Sequence, residues 1–463
     1  MSRGDRGARG AQPLEREGSL TREVRALALP AIAHSLLQTL VFVVDRAMLG
    51  HHDASSLAGM QLAGPIEWSV WSIFLAFEVG TVACIGRLVG EGNRAGARSA
   101  LVVSLGYAIF AGVAVALLSP LILAVMPLAA SGATSDVIAG ARGYLGITLV
   151  ASPIIFVSSV ATASLQAGGN TRTPLAIAIV SNALHIGANA LLIPRFGMRG
   201  CAASTASTFA LEAVLGLAVL SRAGIPVSLR SAGIPLSGLR EKLGDIVRIG
   251  WPSLLERVLY HAGFLGYVAI IGRLGDAVMA GNQALISVES ICFLSADGFG
   301  IAAAALVAQK LGAARPAHAK RAARIAARDA AVALTTLGLI VVVARRLVLP
   351  VFAKDANVVE VGLSAVPVLA LAQPFMAVAI VLGQALRGAA RTRTALLISL
   401  AGAVCVRLSC TWLFAVGLGL GLRGVWLGST CDWMVRAALV TFVWARPSFA
   451  PSPTPKSDEA KSA

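Results

Sequence analysis

Long runs of uncharged residues constrain this chain more than any other feature of its sequence. A helix needs about 17–25 residues to cross the roughly 30 Å hydrocarbon core of a bilayer. Five runs without Asp, Glu, Lys or Arg have that length or more, at 26–44, 99–135, 143–171, 173–194 and 361–386. Because lipid offers the backbone no hydrogen-bond partners, such runs cross a membrane as helices. We therefore expect a polytopic membrane protein.

The composition excludes the water-soluble alternatives. Of the 463 residues, 57% are apolar and 13% are charged, against about 45–50% and about 25% in average soluble domains. The mean hydropathy is +0.78. A soluble domain, a secreted disulfide-rich protein and a disordered chain are excluded together. The six cysteines lie in apolar segments without metal-ligand spacing, so we expect neither a metal nor another cofactor.

Seven further apolar segments, each interrupted by one or two charges, bring the expected number of spans to about twelve. They lie near 60–86, 198–221, 246–272, 278–309, 329–349, 394–416 and 424–445. Of the 39 basic residues, 27 fall in loops on one side of the membrane and nine on the other. The positive-inside rule assigns the richer side, with both termini, to the cytoplasm of a cytoplasmic (inner) membrane. The net charge of +16 therefore indicates membrane lipids rather than nucleic acid as partners.

The sequence repeats itself at an offset of 222 residues, which farther along shifts by a residue or two. The repeated residues include Pro30 with Pro252, Gly59 with Gly281, Glu67 with Glu289 and Gly90 with Gly312. Two halves of six spans have the same topology, an arrangement that in secondary transporters places the substrate site between the halves. We expect an all-α fold of two parallel repeats. Its parts are a basic arm at 1–23, an N-lobe at 24–221, a cytoplasmic linker at 222–244, a C-lobe at 245–445 and a disordered cytoplasmic tail at 446–463.

Polar side chains inside the spans are the first candidates for function, because lipid exposure of a charge is expensive. Two interpretations of Asp45 are open: a carboxylate that titrates inside the bundle, or a solvated helix end beside Arg46. Glu256 fits either a coupling site or a solvated first-turn carboxylate favoured by the helix dipole. His185 and Asn189, spaced i, i+4, share a helix face. A histidine there is either an interhelical hydrogen-bonding group or a proton acceptor.

Several other charges fall inside apolar spans. They are Glu67 and Glu289, which are repeat-equivalent, and Glu78, Glu212, Asp297, Asp432, Arg257, Arg407 and Arg436. Arg407, in the middle of a span, needs a carboxylate or several carbonyl groups as partners. The sequence contains no hydrolase, metalloprotease, Walker A or Rossmann motif in its required context, so we expect no enzyme activity.

Several segments resemble one family of membrane transporters. The resemblance rests on LALPAIAHSLLQTLVFVVDRAMLG at 27–50 and IGWPSLLERVLYHAGFLGYVAIIGRLGDAVMAGNQ at 249–283, with SLQAGGNTRTP at 164–174, IAAAALVAQKLGA at 301–313 and ALRGAARTRT at 385–394. These are similar to the half-openings, loops and helices of multidrug and toxic compound extrusion (MATE) transporters. The resemblance covers about 24–445. It implies a two-lobe antiporter of twelve helices that exports organic cations against an inward flow of H⁺ or Na⁺.

The resemblance also implies an ion-coupling site in the N-lobe. Asp45 matches the first-helix Asp of the family, which is its usual coupling acid, and Asn189 matches the second member of an Asn-x-x-x-Asn/Asp pair. Thr205 matches a helix-6 Thr near the same site. His185 departs from the family by occupying the first Asn position of the pair. Because hard cations prefer oxygen ligands, the imidazole favours H⁺ over Na⁺ as the coupling ion.

The C-lobe matches the family less well. Some members carry an acid eight residues after the helix-7 proline, where this chain has Tyr260, and the nearby acid is Glu256. We treat Glu256, Tyr260, Arg407 and Asp297 as a possible second coupling or substrate site.

Our hypothesis is a monomeric H⁺-coupled antiporter of amphipathic cationic or aromatic compounds. A flippase for lipids or lipid-linked oligosaccharides, as in the same superfamily, is the alternative and requires a basic central cavity. The intramembrane acids outnumber the intramembrane arginines, which favours cationic cargo. A membrane-embedded enzyme or a receptor is disfavoured by the two-fold repeat and by the missing catalytic motifs.

Overall fold

The computed structural model describes residues 17–129, 134–230, 238–352 and 355–446. Most of the expected N-terminal arm, part of the linker and nearly all of the C-terminal tail lie outside these described residues. Within them the chain is helical, without strands. The α-helices are α1 (Glu17–His52), α2 (Ala54–Gly90), α3 (Arg94–Val125), α4 (Ser135–Val150), α5 (Ser152–Ala167), α6 (Arg172–Phe196), α7 (Met198–Leu220), α8 (Leu239–Gly272), α9 (Asp276–Gly312), α10 (Pro316–Phe352), α11 (Ala356–Gly388), α12 (Thr392–Ser399), α13 (Arg407–Thr411) and α14 (Gly421–Ala445). Two π-helical segments, Leu400–Val406 and Trp412–Gly417, precede and follow α13 and continue its span.

Twelve helical segments of the described chain are of spanning length. Ten are individually long and apolar enough to cross a bilayer, and α4 with α5, bent by 55°, forms an eleventh span. The twelfth is α14, whose 25 residues extend about 37 Å at the usual rise per residue. Three charged residues, Arg423, Asp432 and Arg436, interrupt its apolar sequence. The expected all-α polytopic fold is confirmed.

Helix α1 begins before the expected start of the N-lobe. It starts at Glu17, and its first turns bury Leu20 and Val24 in one apolar cluster with residues of α9, α10 and α11. Arg25, on the same helix, pairs with Asp329 of α10 at 2.7 Å. Charged residues on the other faces of α1 interrupt the apolar run in its first turns. The predicted start of the N-lobe, residue 24, therefore left these turns out of the lobe. The start of α1 therefore belongs to the contact between the lobes.

The two lobes meet closely at the ends of α2 and α9. A Cβ atom on Gly90 would overlap the backbone of Gln309, and one on Gly312 would overlap the backbone of Arg87. These two glycines are equivalent in the internal repeat. The side chain of Gln309 also donates a hydrogen bond of 2.7 Å to the carbonyl oxygen of Ala167. The lobes are thus closed at this end, which carries the basic loops.

From the closed end, α2 and α8 run side by side towards the middle of the membrane. A Cβ atom on Gly80 would overlap the backbone of Ile246, so the two helices touch there. Ser72 of α2 still hydrogen-bonds α8 side chains. About one turn farther along, Trp68 and Phe264 are 50% and 42% exposed, as expected where the helices separate. We call the space between the lobes beyond Ser72 the inter-lobe cleft.

Candidate functional site

Three of the four residues expected at the N-lobe site form one buried cluster. Oδ1 of Asp45 lies 2.7 Å from Nε2 of His185 and accepts a hydrogen bond of 2.6 Å from Nδ2 of Asn189. The exposed fractions of the three residues are 1%, 1% and 0%. The interpretation of Asp45 as a solvated helix end is therefore wrong. Arg46, the next residue of α1, is exposed instead.

The helical period and the packing of α1 against α6 assemble this cluster. His185 and Asn189 lie one turn apart on α6, so both side chains face α1. Nδ2 of Asn189 also lies 3.0 Å from Nε2 of His185. The next turn of α1 and the neighbouring turn of α7 bury Leu49 and Cys201 in an apolar cluster. The polar groups are therefore enclosed by hydrocarbon, where their hydrogen bonds matter most.

The contacts of His185 determine how many protons the cluster holds. Nδ1 lies 3.0 Å from the hydroxyl of Thr208 and 3.1 Å from that of Ser204. Both hydroxyls donate to backbone carbonyl oxygens, so each can accept from Nδ1, which places a proton on that nitrogen. The 2.7 Å contact between Nε2 and Asp45 then needs one proton, on either atom. The geometry therefore fits one proton between an acid and a base.

Thr205 lies beside the cluster without joining its hydrogen bonds. Its hydroxyl donates to the carbonyl oxygen of Cys201 at 3.1 Å. With His185, Thr208 and Glu212, it lines a small cavity between α1, α6 and α7. The cluster therefore borders this small cavity through His185, and Thr205 forms part of the cavity wall.

Glu212 also lines this cavity. From the sequence it was expected only as one of several acids inside apolar spans, and not as part of the N-lobe site. It is 8% exposed, and its Oε2 atom accepts a hydrogen bond of 3.1 Å from Ser158 of α5. Thr205, Thr208 and Glu212 are spaced i, i+3, i+7 and so share one face of α7. That spacing is the signal that could have added Glu212 to the predicted site.

The four residues expected at a second site lie in three separate places. Glu256 forms an ion pair with Arg387 and accepts a hydrogen bond of 2.5 Å from Ser399. Tyr260, one turn farther along α8, lines the same small pocket as Glu256. Because α8 begins at Leu239, Glu256 lies well inside the helix, and its interpretation as a first-turn carboxylate is wrong.

Arg407 and Asp297 each have a different partner. Nε of Arg407 donates to Asp432 at 2.8 Å, while Arg436 binds the same carboxylate through two bonds of 2.6 Å. Asp297 accepts a hydrogen bond of 2.9 Å from Gln384. The carboxylate that Arg407 needs at membrane depth is thus Asp432. The structure does not combine the four expected residues into one site.

Arg407 occupies the C-lobe position that corresponds to His185. The repeat offset of 222 maps His185 to Arg407 and Asp45 to Tyr267. The contact between His185 and Asp45 also has a counterpart in the C-lobe, since Cζ of Arg407 lies 5.8 Å from the centre of the Tyr267 ring. In the C-lobe, an aromatic ring therefore replaces the acid and a guanidinium replaces the imidazole.

The partners on the following helix correspond as well. The repeat offset has grown to 224 residues there, which maps Thr208 to Asp432. His185 contacts Thr208, and Arg407 contacts Asp432. Equivalent residues thus make equivalent contacts in the two lobes with different chemistry.

The chain is similar to known proteins over nearly its whole length. The MatE family model matches twice, at residues 30–191 and 252–413, two segments that have the same 222-residue offset as the internal repeat. The "Probable multidrug resistance protein NorM" of Thermotoga maritima is 28% identical over 437 residues, which cover 92% of each chain.

Solved structures share the fold. One is an outward-facing conformation of a multidrug resistance MATE family transporter of the MOP superfamily, with a TM-score of 0.85 and 20% identity over 94% of this chain and 98% of that one. Another is a variant of the MATE transporter VcmN of Vibrio cholerae, with a TM-score of 0.84 and 18% identity over 92% of this chain and 97% of that one. With two family matches, at least ten helices that are long and apolar enough to cross a membrane, and this fold, the chain belongs to the MatE family of multi-pass membrane transporters.

Proposed function

We propose that this protein is a secondary active antiporter that exports amphipathic cationic or aromatic compounds and is driven by inward H⁺ flow. The single observation that carries the proposal is the buried cluster of Asp45, His185 and Asn189 beside a cavity, with a short acid–base contact whose geometry fits one proton. The name of the Thermotoga maritima relative, a probable multidrug resistance protein, supports organic compounds as cargo.

The donor set of the cluster favours H⁺ over Na⁺. Oδ1 of Asp45 faces a ring nitrogen and an amide NH₂ group. A hard cation prefers several oxygen ligands, so Na⁺ would require both contacts to be replaced. A proton requires only the short contact that is already present between Asp45 and His185.

Loss of the proton changes the packing of the N-lobe. Without it, a carboxylate oxygen and the lone pair of Nε2 face each other, which is a repulsive contact. Asp45 and His185 lie on α1 and α6, so their separation moves one helix relative to the other. Protonation from outside restores the contact and favours outward release of the substrate. The proton is thereby linked to the position of α1, whose first turns contact the C-lobe.

The orientation follows from the closed end of the molecule. That end carries the basic loops, so we place it in the cytoplasm together with both termini. The inter-lobe cleft then opens outward, and the protein lies in the cytoplasmic (inner) membrane. One chain contains both lobes and the cleft, so we expect it to function as a monomer.

The flippase alternative requires a basic central cavity, which the ion pairs of the C-lobe disfavour. Arg387 is paired with Glu256, and Arg407 and Arg436 share Asp432. This pairing neutralises much of the intramembrane positive charge and favours cationic cargo over a pyrophosphate headgroup.

Transport in liposomes tests the proposal. Purified protein is reconstituted into liposomes loaded with ethidium, and efflux is followed after external acidification. We expect Asp45→Asn to lower the proton-driven rate about 100-fold, since an amide cannot exchange the proton. The matched control is Asp53→Asn, the same change at a half-buried acid on the N-terminal cap of α2, outside the cluster.

Two results would contradict the proposal. Undiminished proton-driven efflux in Asp45→Asn would remove Asp45 from the coupling site. Efflux that requires Na⁺ and ignores the pH gradient would exclude H⁺ as the coupling ion.

A further inference from the structure

The small cavity that His185 lines extends towards the closed end of the molecule. Helix α1 begins at that end, where Glu23 pairs with Lys310 of α9 at 2.9 Å. Gln38, which lines the cavity, precedes Asp45 by seven residues on α1. Seven residues of a helix span about 10 Å. From the level of Asp45, the cavity therefore leads towards the side that we place in the cytoplasm.

Helix α7 places Glu212 on this side of the cavity. Leu220, at the end of α7, packs in one apolar cluster with Leu88 of α2, close to the contact between the lobes at Gly90. Glu212 lies seven residues beyond Thr205 towards that end, and both residues line the cavity. The cavity thus has the proton-binding contact at one side and a carboxyl group at the side nearer the cytoplasm.

The carboxyl group of Glu212 has one hydrogen-bond donor and no basic partner. Its Oε2 atom accepts a hydrogen bond of 3.1 Å from the Ser158 hydroxyl. Among the residues that the structure describes, Oε1 has no hydrogen-bond donor, and no Lys, Arg or His nitrogen lies within 4.0 Å of either oxygen. Ionisation of a buried carboxyl group without a basic partner is costly, and binding a proton removes this cost. Glu212 is therefore a proton-binding group that faces an internal space.

His185 is the titratable group across the cavity from Glu212. Its Nδ1 atom contacts the hydroxyl of Thr208, which lies one turn from Glu212 on α7 and also lines the cavity. The cavity volume of about 10 Å³ is close to the space that one water molecule needs. The other polar groups at this place are the uncharged Ser158 and Gln38. One water molecule can therefore carry a proton between the imidazole and the carboxyl group.

The remaining titratable groups on the helices around α7 lie farther away. On α4, Asp136 and Arg142 lie beside the first turn of α7, near Met198 and thus far from Glu212. On α1, the titratable side chain nearest to Gln38 is that of His34, which is buried one turn closer to the closed end. Glu212 is thus the acid that lies between the proton-binding contact and the cytoplasmic side.

We propose that Glu212 receives the proton that leaves Asp45 and His185 and releases it towards the cytoplasm. In this step the bond between the proton and the pair breaks, and an O–H bond forms at Oε1 of ionised Glu212. Asp45 is left as a carboxylate, and Glu212 is neutral until it gives its proton to the cytoplasmic side. The inference rests on the proposed H⁺ antiport and deepens it by assigning the residue through which the proton leaves.

Two modes of transport separate proton release from movement of the lobes. Net ethidium efflux driven by a pH gradient requires a proton to leave the protein in every cycle. Exchange of radiolabelled ethidium inside liposomes for unlabelled ethidium outside, at equal pH, requires the same binding and the same lobe movement without net proton release. A residue that only packs the helices affects both modes alike.

We expect Glu212→Gln to lower the rate of net efflux about tenfold and to leave exchange within about twofold of the wild type, because it removes only a group that exchanges protons. Glu212→Asp keeps an exchangeable proton and should restore part of the net efflux. Glu212→Met removes the acid without leaving a polar group to satisfy. It should separate the two modes in the same way, and it replaces the Gln variant should that one fail to fold.

The matched control is Glu78→Gln. Glu78 of α2 accepts a hydrogen bond of 3.0 Å from Ser159, the residue that follows Ser158, so it is an acid with the same kind of donor. It lies outside α1, α6 and α7, the helices whose residues line the cavity. Both modes should therefore keep nearly the wild-type rate in this variant.

Unchanged net efflux in Glu212→Gln would overturn the proposal. An equal loss of both modes would also overturn it and would assign Glu212 to helix packing or to substrate binding. Failure of the antiport itself is visible elsewhere, as a wild type without pH-driven efflux or as undiminished efflux in Asp45→Asn. Either of these results overturns both proposals, whereas the first two leave the antiport standing.

Discussion

In the N-lobe the imidazole of His185 contacts the carboxylate of Asp45 on α1, whereas the equivalent residue of the C-lobe, Arg407, pairs with the carboxylate of Asp432 on α14. His185 lies 2.7 Å from Asp45, and Arg407 lies 2.8 Å from Asp432. A guanidinium is charged at every pH that the protein meets, so the C-lobe pair has no proton to exchange. The same packing position therefore carries an imidazole in one lobe and a permanently charged guanidinium in the other.

This difference shows how a duplicated fold can separate two tasks. In the proposed mechanism the N-lobe changes its packing when the proton leaves, while the C-lobe keeps its contacts. Arg436 strengthens the C-lobe contact through two bonds to Asp432, and it stacks 3.8 Å from the ring of Trp433. In this proposal, the residue types at the two equivalent positions, rather than the helices that carry them, determine which lobe couples to the proton.

Replacing His185 of the N-lobe by arginine, the residue at the equivalent C-lobe position, should produce the largest effect on transport. In His185→Arg, a guanidinium would hold Asp45 permanently ionised. We expect proton-driven ethidium efflux from liposomes to fall about 100-fold, as for loss of the proton-exchanging group. The matched control is His51→Arg, an exposed position at the end of α1. Efflux near the wild-type rate in His185→Arg would show that the pair is not the coupling site.

Removing the shared acid of the C-lobe should cost stability. In Asp432→Asn, Arg407 and Arg436 would both lose their carboxylate, and an unpaired buried charge of this kind costs about 3–5 kcal/mol. Asp45→Asn leaves an amide beside a neutral imidazole, so the same change in the N-lobe should cost less than about 1.5 kcal/mol. Thermal unfolding of the two variants in detergent measures both values. Equal losses would mean that the two acids contribute in the same way to stability.

The sequence predicts the fold better than it predicts the partners of the charges. Uncharged runs and the repeat predicted twelve spans, and the i, i+4 spacing predicted that His185 and Asn189 share a face. Periodicity identifies a face within one helix, but not the helix that this face meets. Glu256 and Arg387, for example, are 131 residues apart and meet only because α12 packs against both α8 and the end of α11. The pairs in the C-lobe could therefore not be predicted from spacing.

The two π-helical segments of the C-lobe coincide with a change of the repeat offset in the sequence, which the prediction of the fold did not use. The repeat offset is 221 residues at Thr173 and Thr394, and 224 at Arg199 and Arg423, so the C-lobe has three additional residues in this interval. A π-helical turn accommodates an inserted residue without ending the helix. Both π-helical segments of the described chain lie in this interval. A change of repeat offset inside a span therefore predicts such a segment.

The smallest expected effect belongs to Asp53, a carboxylate outside the membrane spans that offers a contrast to Asp45 and Asp432. Hydrogen bonds from the Ser55 hydroxyl and from the hydroxyl and backbone N–H of Ser56 lower the pKa of Asp53 to about 2. Because the folded pKa lies below the unfolded value of about 3.9, the ionised cap contributes its full stability above pH 4 and loses it as the pH falls towards 2.

Solvent limits this contribution, since the Asp53 side chain is 39% exposed, and we expect less than about 1 kcal/mol. Asp53→Asn keeps a capping oxygen but cannot titrate, so unfolding of this variant and of the wild type between pH 4 and pH 2 isolates the charge. The stability difference between them should shrink as the pH falls. A difference that does not change with pH would show that the geometry of the cap, and not its charge, stabilises the start of α2.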